Sequence, residues 1–132
     1  MKFITRDTDY AVRILKAIAA KKGCAATAQE LSVELDIPLS FVRKILQVMG
    51  KNGPLTSYKG KGGGFELTCS PDKILLLDII NMFQGPICLS DCLFKKKICH
   101  NRTTCSMRKI IVELEDTVKK RLKNVTLASL GK

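Results

Sequence analysis

The stretch Ile37-Pro38-Leu39-Ser40-Phe41-Val42-Arg43-Lys44-Ile45-Leu46-Gln47-Val48-Met49-Gly50 decides the fold, read together with Lys59-Gly60-Lys61-Gly62-Gly63-Gly64-Phe65 further on. Val42, Ile45, Leu46 and Met49 recur at helical spacing and predict one apolar inner face. Ser40 is the candidate N-cap of a helix running from Phe41 to about Met49, which Gly50 and Asn52-Gly53-Pro54 stop. Upstream, Asp36-Ile37-Pro38 makes a turn. A short helix precedes it, running through Leu31 to Leu35 and opened by the capping-box pair Thr27 and Glu30. Earlier still, Thr5 to about Lys22 reads as a helix with Ala11, Ile14, Leu15 and Ile18 on one face, and Gly23 marks its end. Downstream, Leu55 to Tyr58 and Phe65 to Thr68 are short strand-like runs flanking the glycine-rich segment, a hairpin pattern. Three helices followed by a basic hairpin give a mainly α (α+β) chain with the order of a winged helix-turn-helix.

The rest of the chain reads as a fourth helix, a loop and a long helix. Ser70-Pro71-Asp72 starts the fourth helix, which runs through Ile74 to about Phe83 and ends at Gly85-Pro86. Residues 87–104 carry polar, basic and cysteine residues without periodicity. From Cys105 to Leu122 a stripe of Ile110, Ile111, Leu114, Val118 and Leu122 predicts a helix, and Val125 to Leu130 a last short one. The expected organisation is a winged helix-turn-helix domain over 1–84, a cysteine loop over 85–104, and a long helix with its tail over 105–132.

Composition narrows the function. With 45% hydrophobic residues the chain folds, and with 5% aromatics and no Trp its core rests on Leu, Ile, Val and Ala. A net charge of +11 on 132 residues favours a polyanionic partner, nucleic acid or an acidic membrane surface. The longest apolar run, Ile74 to Ile80, is interrupted by Asp78 and falls short of the roughly 20 residues a spanning helix needs. The start, Met1 to Asp7, has no signal-peptide hydrophobic stretch, so a cytosolic setting with reduced thiols is expected. Six cysteines in that setting point to metal or redox chemistry more than to disulfides.

The first turns of the third helix offer Ser40, Arg43 and Lys44 to base edges or phosphates. The hairpin adds Lys59 and Lys61, and its glycines let the backbone approach phosphates or the minor groove. Each feature alone also describes a solvated basic surface; their order on a +11 chain favours double-stranded DNA. A nucleotide-binding reading of the glycines is weak, because no Gly-Lys-Ser/Thr follows.

Cys92, Cys99 and Cys105 lie in or at the end of one loop. Thiolates are soft ligands, and three of them converge on zinc, on an iron–sulfur cluster, or on nothing, as reduced thiols of an ordinary loop. No Cys-x-x-Cys knuckle supports a zinc ribbon, and His100 is cramped beside Cys99. Cys88 reads as a spare ligand or a buried thiol; Cys24 and Cys69 read as structural, buried cysteines.

These residues resemble the Rrf-type family of bacterial winged-helix transcriptional regulators, of the IscR/NsrR-like kind with an iron–sulfur cluster loop. The resemblance covers nearly the whole chain. It rests on Thr8-Asp9-Tyr10-Ala11-Val12-Arg13, on Ser40 to Leu46, on the wing Lys59 to Phe65, on Gln84-Gly85-Pro86-Ile87 followed by the three cysteines, and on Asn124 to Ala128. It implies a homodimer on a palindromic operator, paired through the long helix from Cys105. It also implies a [4Fe–4S] or [2Fe–2S] cluster on Cys92, Cys99 and Cys105, with Asp9 of the partner subunit as the fourth ligand and Asp7 as its neighbour. The implied role is a redox, nitric-oxide or cluster-status sensor, a repressor. Departures from the family pattern are Pro54, expected to distort the entry to the wing, the basic Lys95-Lys96-Lys97, and Cys88. The alternative is a winged-helix regulator sensing through cysteine thiols or zinc without a cluster. A redox enzyme or electron carrier is disfavoured, since no nucleophile–base pair is visible and a carrier has no use for a wing.

Overall fold

Thr5 opens the first helix, α1 (Arg6–Ala20), by accepting the Thr8 backbone N–H on its hydroxyl at 3.4 Å. The computed structural model describes residues 3–89 and 104–131. In α2 (Ala28–Leu35) the capping box is complete: Thr27 Oγ1 accepts the Glu30 N–H at 3.1 Å, and Glu30 Oε2 accepts the Thr27 N–H at 3.4 Å. Asp36 then turns the chain in the left-handed region at φ 54°.

The third helix, α3 (Leu39–Asn52), corrects the expected cap. Pro38, at φ −53°, already starts the turn, and its carbonyl accepts the N–H groups of Phe41 and Val42. Ser40 therefore lies inside the first turn, exposed, and caps nothing.

Gly53, at φ 110°, ends α3, and β1 (Leu55–Tyr58) pairs antiparallel with β2 (Gly64–Leu67), Leu55 opposite Leu67 and Tyr58 opposite Gly64. Pro54 does not distort the entry: its carbonyl accepts the Thr68 N–H at 3.0 Å and closes the base of the hairpin. The second strand starts and ends one residue earlier than its apolar pattern suggests, since its first rung is Gly64 opposite Tyr58 and its last Leu67 opposite Leu55; Ala26 adds a further rung on its other side. Phe65 and Ala26 exchange both backbone hydrogen bonds, at 2.8 and 3.0 Å. Gly64, at φ 148°, sits so close to this rung that a Cβ would lie 2.6 Å from the Ala26 oxygen.

The fourth helix is also corrected. Pro71–Lys73 forms a single 3-10 turn, Ile74 and Leu75 are extended, and α4 (Leu76–Gln84) begins only after them. The cause lies in the tail. Leu76 N–H donates to the Val125 carbonyl at 3.0 Å and Leu127 N–H to the Ile74 carbonyl at 2.8 Å, so the link is held extended by a strand-like partner. Beyond the cysteine loop, α5 (Ser106–Leu122) starts at the cap residue Cys105. The expected last helix is a 3-10 turn, Ala128–Leu130.

The core forms where the sequence periodicity places it. Ala11, Ile14 and Leu15 of α1, Leu31 of α2, and Val42, Ile45, Leu46 and Met49 of α3 are fully buried, joined by Ile79 and by Leu127 from the tail. Each large aliphatic side chain contributes about 1.5–3 kcal/mol by burial. Cys24 and Cys69 are exposed, against the expectation of buried thiols: both follow the ends of regular elements rather than facing the core. No described residue of α5 is buried; Met107, Ile110 and Leu114 are 70%, 57% and 51% exposed along one stripe. Among the described residues no helix is long and apolar enough to cross a membrane.

Candidate nucleic-acid interface and sensor loop

Burial of the inner face of α3 forces its other side outward. Ser40, Arg43 and Lys44 are all exposed there, within the first two turns. Tyr10 and Phe41 meet edge-to-face, with ring centroids 6.2 Å apart, and fix α1 against the start of α3. Arg43 has no ion-pair partner among the described residues. Lys44 does: its Nζ lies 3.3 Å from Asp7 Oδ2 in the first turn of α1. At the wing, Lys59 and Lys61 are exposed, and Gly60 and Gly62 turn the chain at φ 91° and 75° with open space around them. The structure thus brings Ser40, Arg43 and Lys44 onto one helix face and sets Lys59 and Lys61 at the hairpin tip.

A polar node unanticipated from the sequence lies behind this face. Thr8 is fully buried, and its hydroxyl donates to Gln84 Oε1 at 2.8 Å. The same oxygen accepts the Thr5 backbone N–H at 3.1 Å, and Gln84 Nε2 donates to the Phe3 carbonyl at 2.8 Å. One signal was available: Thr8 continues the stripe of Ala11, Leu15 and Ile18, and a hydroxyl on a buried stripe needs a partner. Nothing local names that partner, which is 76 residues away.

The cysteine loop is described at its two ends; Cys92 and Cys99 lie outside the described residues. Cys105 is half-buried, and its Sγ accepts the Arg108 N–H at 3.4 Å as the cap of α5. At the other end the Leu89 N–H donates to Glu115 Oε2 at 3.3 Å, while Lys119 Nζ holds Glu115 Oε1 at 2.8 Å. The Lys119 hydrogen bond is the main cause that keeps the Glu115 carboxyl below its ordinary value, helped by the Leu89 N–H. Glu115 in turn raises Lys119, with smaller help from Asp116 and from the half-buried Cys88. Asp9 faces Arg13 one turn along α1, at 3.1 Å, with its carboxylate 48% exposed. Among the described residues no three ligating side chains converge.

An outward helix face at the end of a three-helix core, flanked by a basic hairpin, defines a winged helix-turn-helix DNA-binding protein. Within that class the chain belongs to the Rrf2 family, described as iron-dependent transcriptional regulators, which matches residues 4–132. It is 28% identical over 120 residues to an rrf2-like HTH-type transcriptional regulator of Rhodobacter capsulatus, covering 84% of this chain and 80% of that one. It is also 28% identical over 123 residues to an HTH-type transcriptional regulator of Aquifex aeolicus, covering 92% and 85%. Among solved structures it shares its fold with CymR (YrzC), the global cysteine regulator of B. subtilis, at a TM-score of 0.82 and 23% identity over 99% of this chain and 97% of that one. It shares it too with T. potens IscR, at a TM-score of 0.77 and 17% identity over 98% and 85%.

Proposed function

We propose that the protein is a cytosolic, dimeric DNA-binding repressor whose operator affinity is set by an iron–sulfur cluster, [4Fe–4S] or [2Fe–2S]. Cys92, Cys99 and Cys105 hold the cluster, with the partner subunit's Asp9 as fourth ligand. Arg43 reads a base, Ser40 contacts base or phosphate, Lys44 does so when Asp7 releases it, and Lys59 and Lys61 hold phosphates beside the wing. The observation that carries the sensor reading is Cys105. Its half-buried sulfur caps α5 and accepts the Arg108 backbone N–H at 3.4 Å, so a soft donor is fixed where the cysteine-bearing loop meets the helix. The residues present therefore suit a soft, electron-deficient metal group. When bound, such a cluster supplies iron open to oxygen, nitric oxide or electron transfer. Asp9 would offer a harder ligand than the cysteines; its carboxylate is paired with Arg13 at 3.1 Å. The stripe Met107, Ile110 and Leu114 is read as the seam on which the second copy packs.

Anaerobic purification tests this. The parent is expected to be brown, with visible absorption, and to bind a palindromic operator. Cys92→Ala, Cys99→Ala and Cys105→Ala are each expected to be colourless, whereas Cys24→Ala, Cys69→Ala and Cys88→Ala stay coloured. A colourless parent of normal fold removes the cluster.

One observation favours a second reading, thiol sensing without a cluster. Cys24 and Cys69 are both exposed, and so open to oxidants. On that reading the protein is colourless, and its DNA affinity responds to peroxide through Cys24 or Cys69.

A further inference from the structure

The Gln84 node and the Asp7–Lys44 pair meet in one turn of α1. Gln84 is the last residue of α4, and Gly85, at φ 78°, turns the chain from it into the segment that carries the cysteines. The Gln84 side-chain oxygen receives two donors, the Thr5 N–H and the Thr8 hydroxyl, and its nitrogen donates to the Phe3 carbonyl. Thr5 is also the cap of α1. Three of the groups that define the start of α1 are thus set by one amide from a distant helix. Asp7 lies between Thr5 and Thr8, and its carboxylate, two-thirds buried, reaches the Lys44 ammonium.

We infer that Gln84 is a positioning residue for the DNA-reading face: by fixing the first turn of α1 it keeps Asp7 on Lys44 and withholds that ammonium from phosphate. The inference rests on the DNA-binding part of the proposed function and needs no cluster. Lys44 is 63% exposed on its side chain, so a phosphate can take it once Asp7 lets go. The pair is a surface one and weak, so it withholds Lys44 only while the first turn of α1 is held in place. The chain of contacts runs from the mouth of the sensor loop through Gln84, Thr8 and Asp7 to α3, and every link is a direct hydrogen bond or a position on one helical turn.

The test uses the full chain and a fluorescein-labelled mixed-sequence DNA duplex, read by anisotropy across a salt series. Asp7→Asn, Gln84→Met and Thr8→Val are each expected to tighten binding by roughly two- to fivefold per protomer, the range of a surface ion pair. Each should also steepen the salt dependence by about 0.9 in log–log slope per Lys44 released. Thr8→Ser keeps the hydroxyl and should behave as the parent. In a Lys44→Gln background all these differences should vanish. Gln84→Met that lowers the melting temperature but leaves the salt slope unchanged reduces Gln84 to a fold-stabilising residue. Effects that persist in the Lys44→Gln background show that they do not pass through Lys44, and also overturn the inference. A parent that shows no salt-dependent binding to the duplex overturns the DNA reading itself, a result separable from both.

Discussion

Asp9 Oδ2 and Arg13 Nε stand 3.1 Å apart, one helical turn apart on α1, with both side chains about half exposed. An exposed pair at this spacing is worth about 0.3–0.5 kcal/mol. Asp9→Ala should therefore leave the fold intact and lose about that much from the pair. If Asp9 is the fourth ligand, the same substitution changes the visible spectrum and speeds cluster loss in air. Equal spectra and equal lifetimes for Asp9→Ala and the parent would leave Asp9 as a helix-end charge.

On the proposed reading, Arg43 meets a base and Lys59 a phosphate, so the two serve different terms of DNA affinity. Arg43→Ala should cost about 1–3 kcal/mol on the preferred operator and little on mixed sequence, because a bidentate base contact is lost. Lys59→Ala should weaken both alike and reduce the salt slope by about 0.9 per phosphate lost. Binding isotherms on the two duplexes decide it; uniform weakening by Arg43→Ala makes Arg43 a phosphate contact.

The stripe on α5 gives a prediction about assembly. Ile110→Glu combined with Leu114→Glu should convert a dimer to a monomer in sedimentation, since a charge at either position cannot be desolvated in an apolar seam. The helix itself should survive, because none of its described residues is buried within one chain. An unchanged sedimentation coefficient would place the dimer seam elsewhere.

Acid should loosen the anchor of the sensor loop. Glu115 is held below the usual glutamate value of 4.5, so its contribution is complete above that value and is lost as pH falls through the lower folded value. Lys119 is raised above 10.5, so its share is complete below that value and disappears only as pH climbs past the higher folded one. Between these limits the anchor is constant with pH. The protection of the Leu89 amide, taken relative to its intrinsic exchange rate at each pH, should fall in the parent only at pH values below 4.5, by an amount set by a pair worth about 0.3–0.5 kcal/mol. In Glu115→Gln that acid step should be absent.

The wing depends on a glycine for a reason different from DNA approach. Gly64→Ala pushes a Cβ into the Ala26 carbonyl at a positive φ, and should cost about 1–3 kcal/mol of stability by thermal melting. Gly62→Ala meets no neighbour and should cost less, from its φ of 75° alone.

The apolar periodicities of α1 and α3 carried the core, because residues such as Ile14 and Ile45 face inward for reasons visible within one turn of helix. The Thr27–Glu30 box was equally legible, as both partners lie within four residues. What escaped depends on partners far along the chain. The extended break at Ile74 and Leu75 exists because Val125 and Leu127 pair with its flanks. The exposure of Cys24 and Cys69 follows from where elements end, which composition does not encode. At the candidate site the sequence marked Arg43, Lys44, Lys59 and Lys61 by type and order. It named Asp7 only as the neighbour of Asp9 and Gln84 only within the Gln84-Gly85-Pro86-Ile87 motif; their hydrogen bonds come from tertiary proximity alone.

The tail strap on α4 makes a closed circuit of everything between. The chain departs from one end of α4 at Gly85 and returns beside the other end, where Val125 and Leu127 bond to Leu76 and Ile74. The end of α5 is therefore moored to the first residues of α4 by the tail, rather than trailing as a free arm. A shift of that tail reaches α4 directly, and α4 is the helix whose last side chain grips the start of α1.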